Sequence, residues 1–373
     1  MSVTTLSSLS SSTRPSQGRV WILGGLLVAL IVAAPLGAIA WLALFPTENI
    51  WPHLASTVLP RHSWNTLVLM VGNGIGVFLI GTASAWLVST CEFPGRRLFE
   101  WAMLLPLAVP AYIVAFVYTD IMEFAGPVQG LLRDLFGWQT SRDYWFPEIR
   151  SMGGAIFVMS FVLYPYVYLL TRAAFHEQSS SVLEVSRTLG RGPWQTFLTV
   201  ALPLARPAIV VGIALAMMET LADFGTVDYF AVNTLTVAVF NVWLGMGNAG
   251  GAAQIALVML GFVVLLITLE RIGRHGRQYH HTSSRYQTSP RVRLRGGRKI
   301  AALLVCAIPI VIGFVIPAGV LLRHAIVFFD ESWNQAFFAF ARNSLTLSAA
   351  AALVAVSIAV FLAYGRRLSG RGF

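Results

Sequence analysis

Apolar runs long enough to cross a bilayer constrain this chain more than any other feature of its sequence. A helix needs roughly 20 apolar residues to span the hydrocarbon layer, because no water inside it can satisfy an open backbone. Runs of that kind lie near 20–44, 64–88, 99–118, 152–173, 205–221, 252–269, 300–322 and 343–364. The fold class expected is therefore an all-α polytopic membrane protein with about eight transmembrane helices. Composition agrees: 56% of the 373 residues are hydrophobic and only 11% are charged, outside the range of soluble domains.

Arginine placement sets the expected orientation. With a cytoplasmic N-terminus, 20 cations fall on inward segments and 6 (Arg61, Arg133, Arg142, Arg150, Arg323, Arg342) on outward ones, as the positive-inside rule requires. The net charge of +10 then needs no nucleic acid. Membrane lipid headgroups and orientation account for it. Residues 1–18, rich in Ser and Thr, read as a disordered cytoplasmic tail. Ala38-Ile-Ala40 could mimic a signal-peptidase site, but the preceding apolar stretch is long for a signal peptide and further spans follow.

An internal repeat organises the chain. Asn65-Thr-Leu-Val-Leu, Ala85-Trp86 and Gly95-Arg96-Arg97 recur as Asn343-Ser-Leu-Thr-Leu, Ala363-Tyr364 and Gly365-Arg366-Arg367. The Asn-to-Asn offset of 278 residues contains six spans, so both copies keep one orientation, as in transporters built from parallel repeats. The expected domains are a first six-helix module (19–270), a basic cytoplasmic linker (271–299) and the start of a second module (300–373). A complete second copy would run to roughly residue 550. The chain is thus expected to be a fragment of a longer protein, or to be completed by a separate polypeptide.

Between the fourth and fifth runs lies a polar segment. Serines at 179–181 can cap a helix, and Gly190 and Gly192 can end it in a left-handed turn. Pro193 can open the next helix at a position where a missing N–H costs nothing. Glu184 and Gly190, with Val200, Leu202 and Pro203 further on, resemble the E-A-A, G, I-x-L-P signature of permease subunits of binding-protein-dependent ABC importers. Val185 and Ser186 replace the two alanines, and Val200 the isoleucine. The resemblance implies a type I permease fold and a coupling helix seated in a groove of an ATPase. In it Glu184 would anchor, Gly190 would turn, and Arg187 and Arg191 would meet acidic groups on the partner. Alternatively the two arginines are positive-inside residues without a partner.

A second stretch, Glu219 to Thr226, resembles ferric-iron importer permeases, as does the arrangement of two fused modules. Fe³⁺ is a hard cation that favours oxygen ligands. Carboxylates at a span end usually face a cavity, a partner or a substrate path. Glu219 and Asp223 are four apart and would share a face of a continued helix, and Asp228 and Tyr229 follow as weaker candidates. Alternatively the two acids cap or pair locally. Thiamine, polyamine and phosphonate importers share the fold and signature, so those cargoes stay open. The expected partners are a dimer of ABC ATPase subunits and an extracytoplasmic binding protein that reaches the outer loops, including Thr119 to Arg150. A secondary transporter would need carboxylates or histidines well inside a span, and none is found there.

No catalytic or metal-binding role is expected. The single lysine, Lys299, is followed by Ile300, so there is no phosphate-cradling loop. ATP and Mg would be held by the partner, and this chain would bind no cofactor. Cys91 and Cys306 form no metal or disulfide framework. His275, His280 and His281 sit among arginines that oppose a bound cation. Pro106 and Pro110 in the third run and Pro165 in the fourth are expected to kink their helices.

Overall fold

The structure, a computed structural model, describes residues 15–177, 186, 188, 190, 192–274 and 291–369. Eight helical stretches among them are long and apolar enough to cross a membrane, the third of which, Ala111–Phe136, is made of two shorter helices. By compactness the chain forms two units, one of Ala43–His324 and one of Met1–Leu42 with Ala325–Phe373.

In the larger unit, α2 (Trp51–Thr90) runs into strand β1 (Cys91–Glu92). A short helix α3 (Arg96–Ala102) follows, and then the chain breaks. The sequence leads one to expect a kinked span over 99–118, but the helix restarts only as α4 (Ala111–Met122). Pro106 and Pro110 each lack a backbone N–H, and Pro110 pushes Val109 into extended geometry, φ −112° and ψ 119°. Helix α5 (Pro127–Phe136) interrupts the following loop. Pro165, by contrast, stays inside the unbroken helix α6 (Met152–Glu177).

The next span, α7 (Trp194–Ala222), begins well before residue 205. Two short helices, α8 (Gly225–Tyr229) and α9 (Leu235–Gly245), lead to α10 (Ala249–Arg274). Strand β2 (Val292–Arg293) pairs in parallel with β1, and α11 (Gly297–Val327) follows.

The core is built where α2 and α6 lie side by side, pointing the same way. Ile156 meets Gly72, Tyr164 meets Gly81, and Phe175 meets Trp86. Small residues permit this approach, which in lipid supplies much of the packing energy. A Cβ on Gly81 would stand 2.9 Å from the Tyr164 carbonyl and 2.9 Å from the Tyr168 nitrogen. Helix α7 closes on both: a Cβ on Gly212 would lie 2.8 Å from the Val167 Cα.

The contacts sort the loops by side. At one end of this unit, β1 meets β2 and Glu100 meets Arg172. At the other, Asn65 donates to the Asn233 carbonyl, Asn248 to that of Glu48, and Arg150 pairs with Glu123. In the smaller unit, α1 (Pro15–Leu44) sets Trp21 against Phe361 and Tyr364 of α12 (Gln335–Ser369), ring centroids 4.9 and 5.7 Å apart.

Candidate coupling loop and transport path

The polar segment between α6 and α7 is described in part. Glu184, Arg187 and Arg191 lie outside the described residues. Gly190 is described, exposed and left-handed, φ +79°, a conformation that disfavours any side chain with a Cβ. Ser186 is buried, and its hydroxyl lies 3.0 Å from that of Thr196. Leu202 and Pro203 are half-buried within α7, flanked by fully buried Ala201 and Ala205.

The base of this segment is held by groups that the sequence reading did not single out. Trp86 packs its ring on Phe175 at the end of α6, 5.3 Å between centroids, and on Phe197 at the start of α7, 4.9 Å. One tryptophan therefore joins both helices that flank the loop to α2. The available signal was its place in the Ala85-Trp86 repeat marker. Beside it, Glu100 of α3 pairs with Arg172 of α6 and, at 3.4 Å, with Arg96. Arg96 also reaches Glu92 at 3.5 Å and donates to the Val88 carbonyl at 3.1 Å. The Tyr168 hydroxyl donates to the Glu100 carbonyl at 3.0 Å. Arg96 is only 5% exposed, so losing its carboxylates would strand a buried charge, which is costly. Arg96 and Arg172 therefore serve as internal ties.

At the opposite end, Glu219 and Asp223 part company. The helix stops at Ala222, and Asp223 is extended, φ −69° and ψ 129°. Its carboxylate turns forward to accept from the Thr226 N–H at 2.9 Å, the Thr226 hydroxyl at 3.1 Å and the Val227 N–H at 3.3 Å. Burial pushes this carboxyl above its ordinary range, against the pull of those hydrogen bonds. Asp223 thus caps the start of α8. Glu219 stays exposed, within electrostatic reach of Tyr166. Asp228 is exposed, and Tyr229 is half-buried beneath Arg150, 5.1 Å from guanidinium to ring. Among the described residues no three His, Cys, Asp or Glu side chains are gathered in a way that could hold a metal. His275, His280 and His281 fall outside the described residues.

Between the two ends lies a polar knot. Buried Asn73 of α2 donates to the Thr220 hydroxyl of α7 at 2.6 Å and accepts from the Ser160 hydroxyl of α6 at 3.3 Å. Polar residues inside apolar runs were its sequence signal, but the runs alone do not say that these three meet.

The loop from Thr119 to Arg150 is built rather than loose. Phe136, Trp138 and Tyr144 stack at 4.7 Å spacings, and Arg133 covers Phe124 at 4.1 Å. A cavity of about 490 Å³ opens beside them, lined by Glu123, Gln129, Trp145 and Arg150 among others. Trp145 is 86% exposed.

The family model described as binding-protein-dependent transport system inner membrane component matches residues 78–278, from the middle of α2 to beyond α10. The chain is 29% identical over 220 residues to the molybdenum transport system permease protein ModB of Escherichia coli, covering 56% of this chain and 90% of that one. It is 29% identical over 226 residues to the Fe(3+)-transport system permease protein FbpB 2 of Haemophilus influenzae, covering 61% of this chain and 40% of that one. Among solved structures, a bacterial ABC transporter involved in the import of the acidic polysaccharide alginate aligns with a TM-score of 0.52 at 17% identity. That alignment covers 68% of this chain and 96% of that one, a likeness of fold.

Proposed function

The chain belongs to the family of binding-protein-dependent transport system inner membrane components, and from that premise we propose that it passes ferric iron across the inner membrane as the permease of an ATP-driven importer. The carrying observation is the distribution of charge. With the N-terminus in the cytoplasm, the outer segments hold eleven carboxylates against six arginines, and the inner ones five against twenty cations. A surface field of that sign draws cations and repels oxyanions. Exposed Glu219 at the end of α7 offers the hard oxygen donor that Fe³⁺ prefers.

A second reading, an oxyanion cargo, draws on the similarity that covers 90% of the molybdenum permease. Uptake of labelled Fe³⁺, molybdate and putrescine in cells with and without the gene separates the possibilities. Loss of iron uptake alone supports our reading, and loss of molybdate uptake alone replaces it.

In this reading an extracytoplasmic binding protein docks on the built outer loop around Trp145, and two ATPase subunits engage the segment around Glu184 to Gly190. Closure of the ATPases moves that segment as a rigid body. The Trp86, Phe175 and Phe197 cluster hands the motion to α2, α6 and α7. Gly190→Trp leaves the chain inserted but abolishes ATP-driven uptake, since a side chain cannot sit comfortably at φ +79°. Normal uptake by that variant would remove the coupling assignment.

A further inference from the structure

The strand β2 carries a pattern that the transport cycle leaves unused. Residues 291–295 read Arg-Val-Arg-Leu-Arg, and a strand points alternate residues to opposite faces. Pairing with β1 fixes which face is which. Cys91 lies opposite Val292 and Glu92 opposite Arg293, and the Leu294 N–H donates to the Glu92 carbonyl at 3.1 Å. Val292 and Leu294 are half-buried, with Leu294 packed on the main core, while Arg291, Arg293 and Arg295 are exposed. Arg298 and Lys299 extend the exposed charge into the first turn of α11, and Arg97 adds one from α3, which touches α11.

The nearby carboxylate is already engaged. Glu92 is shared by Arg96 at 3.5 Å and Arg291 at 3.9 Å. Among the described residues, Arg97, Arg293, Arg295, Arg298 and Lys299 make no ion pair. Five exposed cations on adjoining elements need anions in front of them. The apolar neighbours say where those anions sit: Leu98 is 71% exposed, Trp101 73% and Ile300 59%. Exposed tryptophan and aliphatic groups within a turn of the cations mark the membrane–water interface.

We propose that the exposed face of β2, with the entry of α11 and Arg97, is a binding site for the phosphate headgroups of anionic phospholipids. The β1–β2 pairing makes it an ordered site: one arginine face is held by main-chain hydrogen bonds while its apolar face is anchored in the core. The inference rests on the membrane-spanning reading of the chain and is independent of the cargo.

The test reconstitutes the full chain in vesicles of phosphatidylcholine mixed with phosphatidylglycerol and measures the restriction of spin-labelled lipid of each kind. The wild type holds phosphatidylglycerol in preference to phosphatidylcholine, and inorganic phosphate in the buffer does not displace it. The triple variant Arg293→Gln, Arg295→Gln, Arg298→Gln lowers that preference by about tenfold or more, given the usual contribution of each near-surface cation. The matching triple Lys variant keeps it. An unchanged preference in the Gln variant overturns the site. So does equal loss in the Lys variant, which would indicate damaged pairing instead of lost charge. Displacement by inorganic phosphate would make the site one for a free anion, and weaker ATPase binding with unchanged lipid preference would make it a protein contact.

Discussion

Helices α2 and α12 carry the same outline of sequence 278 residues apart, yet they keep opposite company. Leu69 is 1% exposed, whereas Leu347, its counterpart, is 74% exposed. Asn73 and Gly81 are buried against α6 and α7, while Ala351 and Ala359 at the equivalent positions are exposed. Trp86 clasps two aromatic rings, and Tyr364 meets Trp21. A repeated apolar pattern thus encodes a span and its end, but not which of its faces other helices cover. In lipid this is expected, since exposed leucine is no penalty there and only close packing and hydrogen bonds draw helices together.

The contrast breaks most sharply at Gly81. In Gly81→Leu the side chain has no room beside the Tyr164 carbonyl and Tyr168 nitrogen, so α2 and α6 separate at a cost of about 3 kcal/mol or more. Ala359→Leu, on an exposed face, costs within about 0.5 kcal/mol. Thermal stability of the two purified variants in detergent measures the gap, and equal losses would show that α12 is as tightly enclosed as α2. A smaller effect comes from the polar knot. Asn73→Leu leaves Thr220 and Ser160 without their shared partner and lowers stability by about 1–2 kcal/mol. Ala351→Leu is near neutral by the same measurement.

The eight spans were legible because length and apolarity leave a bilayer-crossing chain no choice but helix. Helix interruptions were less so. Pro106, Pro110 and Pro165 look alike in sequence, but the first two lie in the break between α3 and α4, where Pro110 precedes the restart, and the third sits inside a helix. Two prolines within five residues remove two donors from adjacent turns, and Pro110 also drives Val109 out of helical geometry, whereas α6 absorbs a single missing bond. The turn at Gly190 was readable from glycine alone. The Trp86 cluster and the Glu100 ties were not, because they join residues that are distant in sequence and each residue has an ordinary alternative explanation.

The smallest expected effect concerns Asp223, just past the end of α7. Its three hydrogen bonds to Thr226 and Val227 describe a cap, and asparagine can make most of them while lacking the charge. Asp223→Asn therefore loses little stability, and Asp223→Ala about 1 kcal/mol. Transport then separates the two roles. If Asp223 only caps α8, uptake by the Asn variant stays near wild type while Glu219→Gln reduces it, because exposed Glu219 has no comparable hydrogen bonds among the described residues. If the Asn variant loses uptake at wild-type stability, the charge itself lies on the path, and the cap is what holds it there.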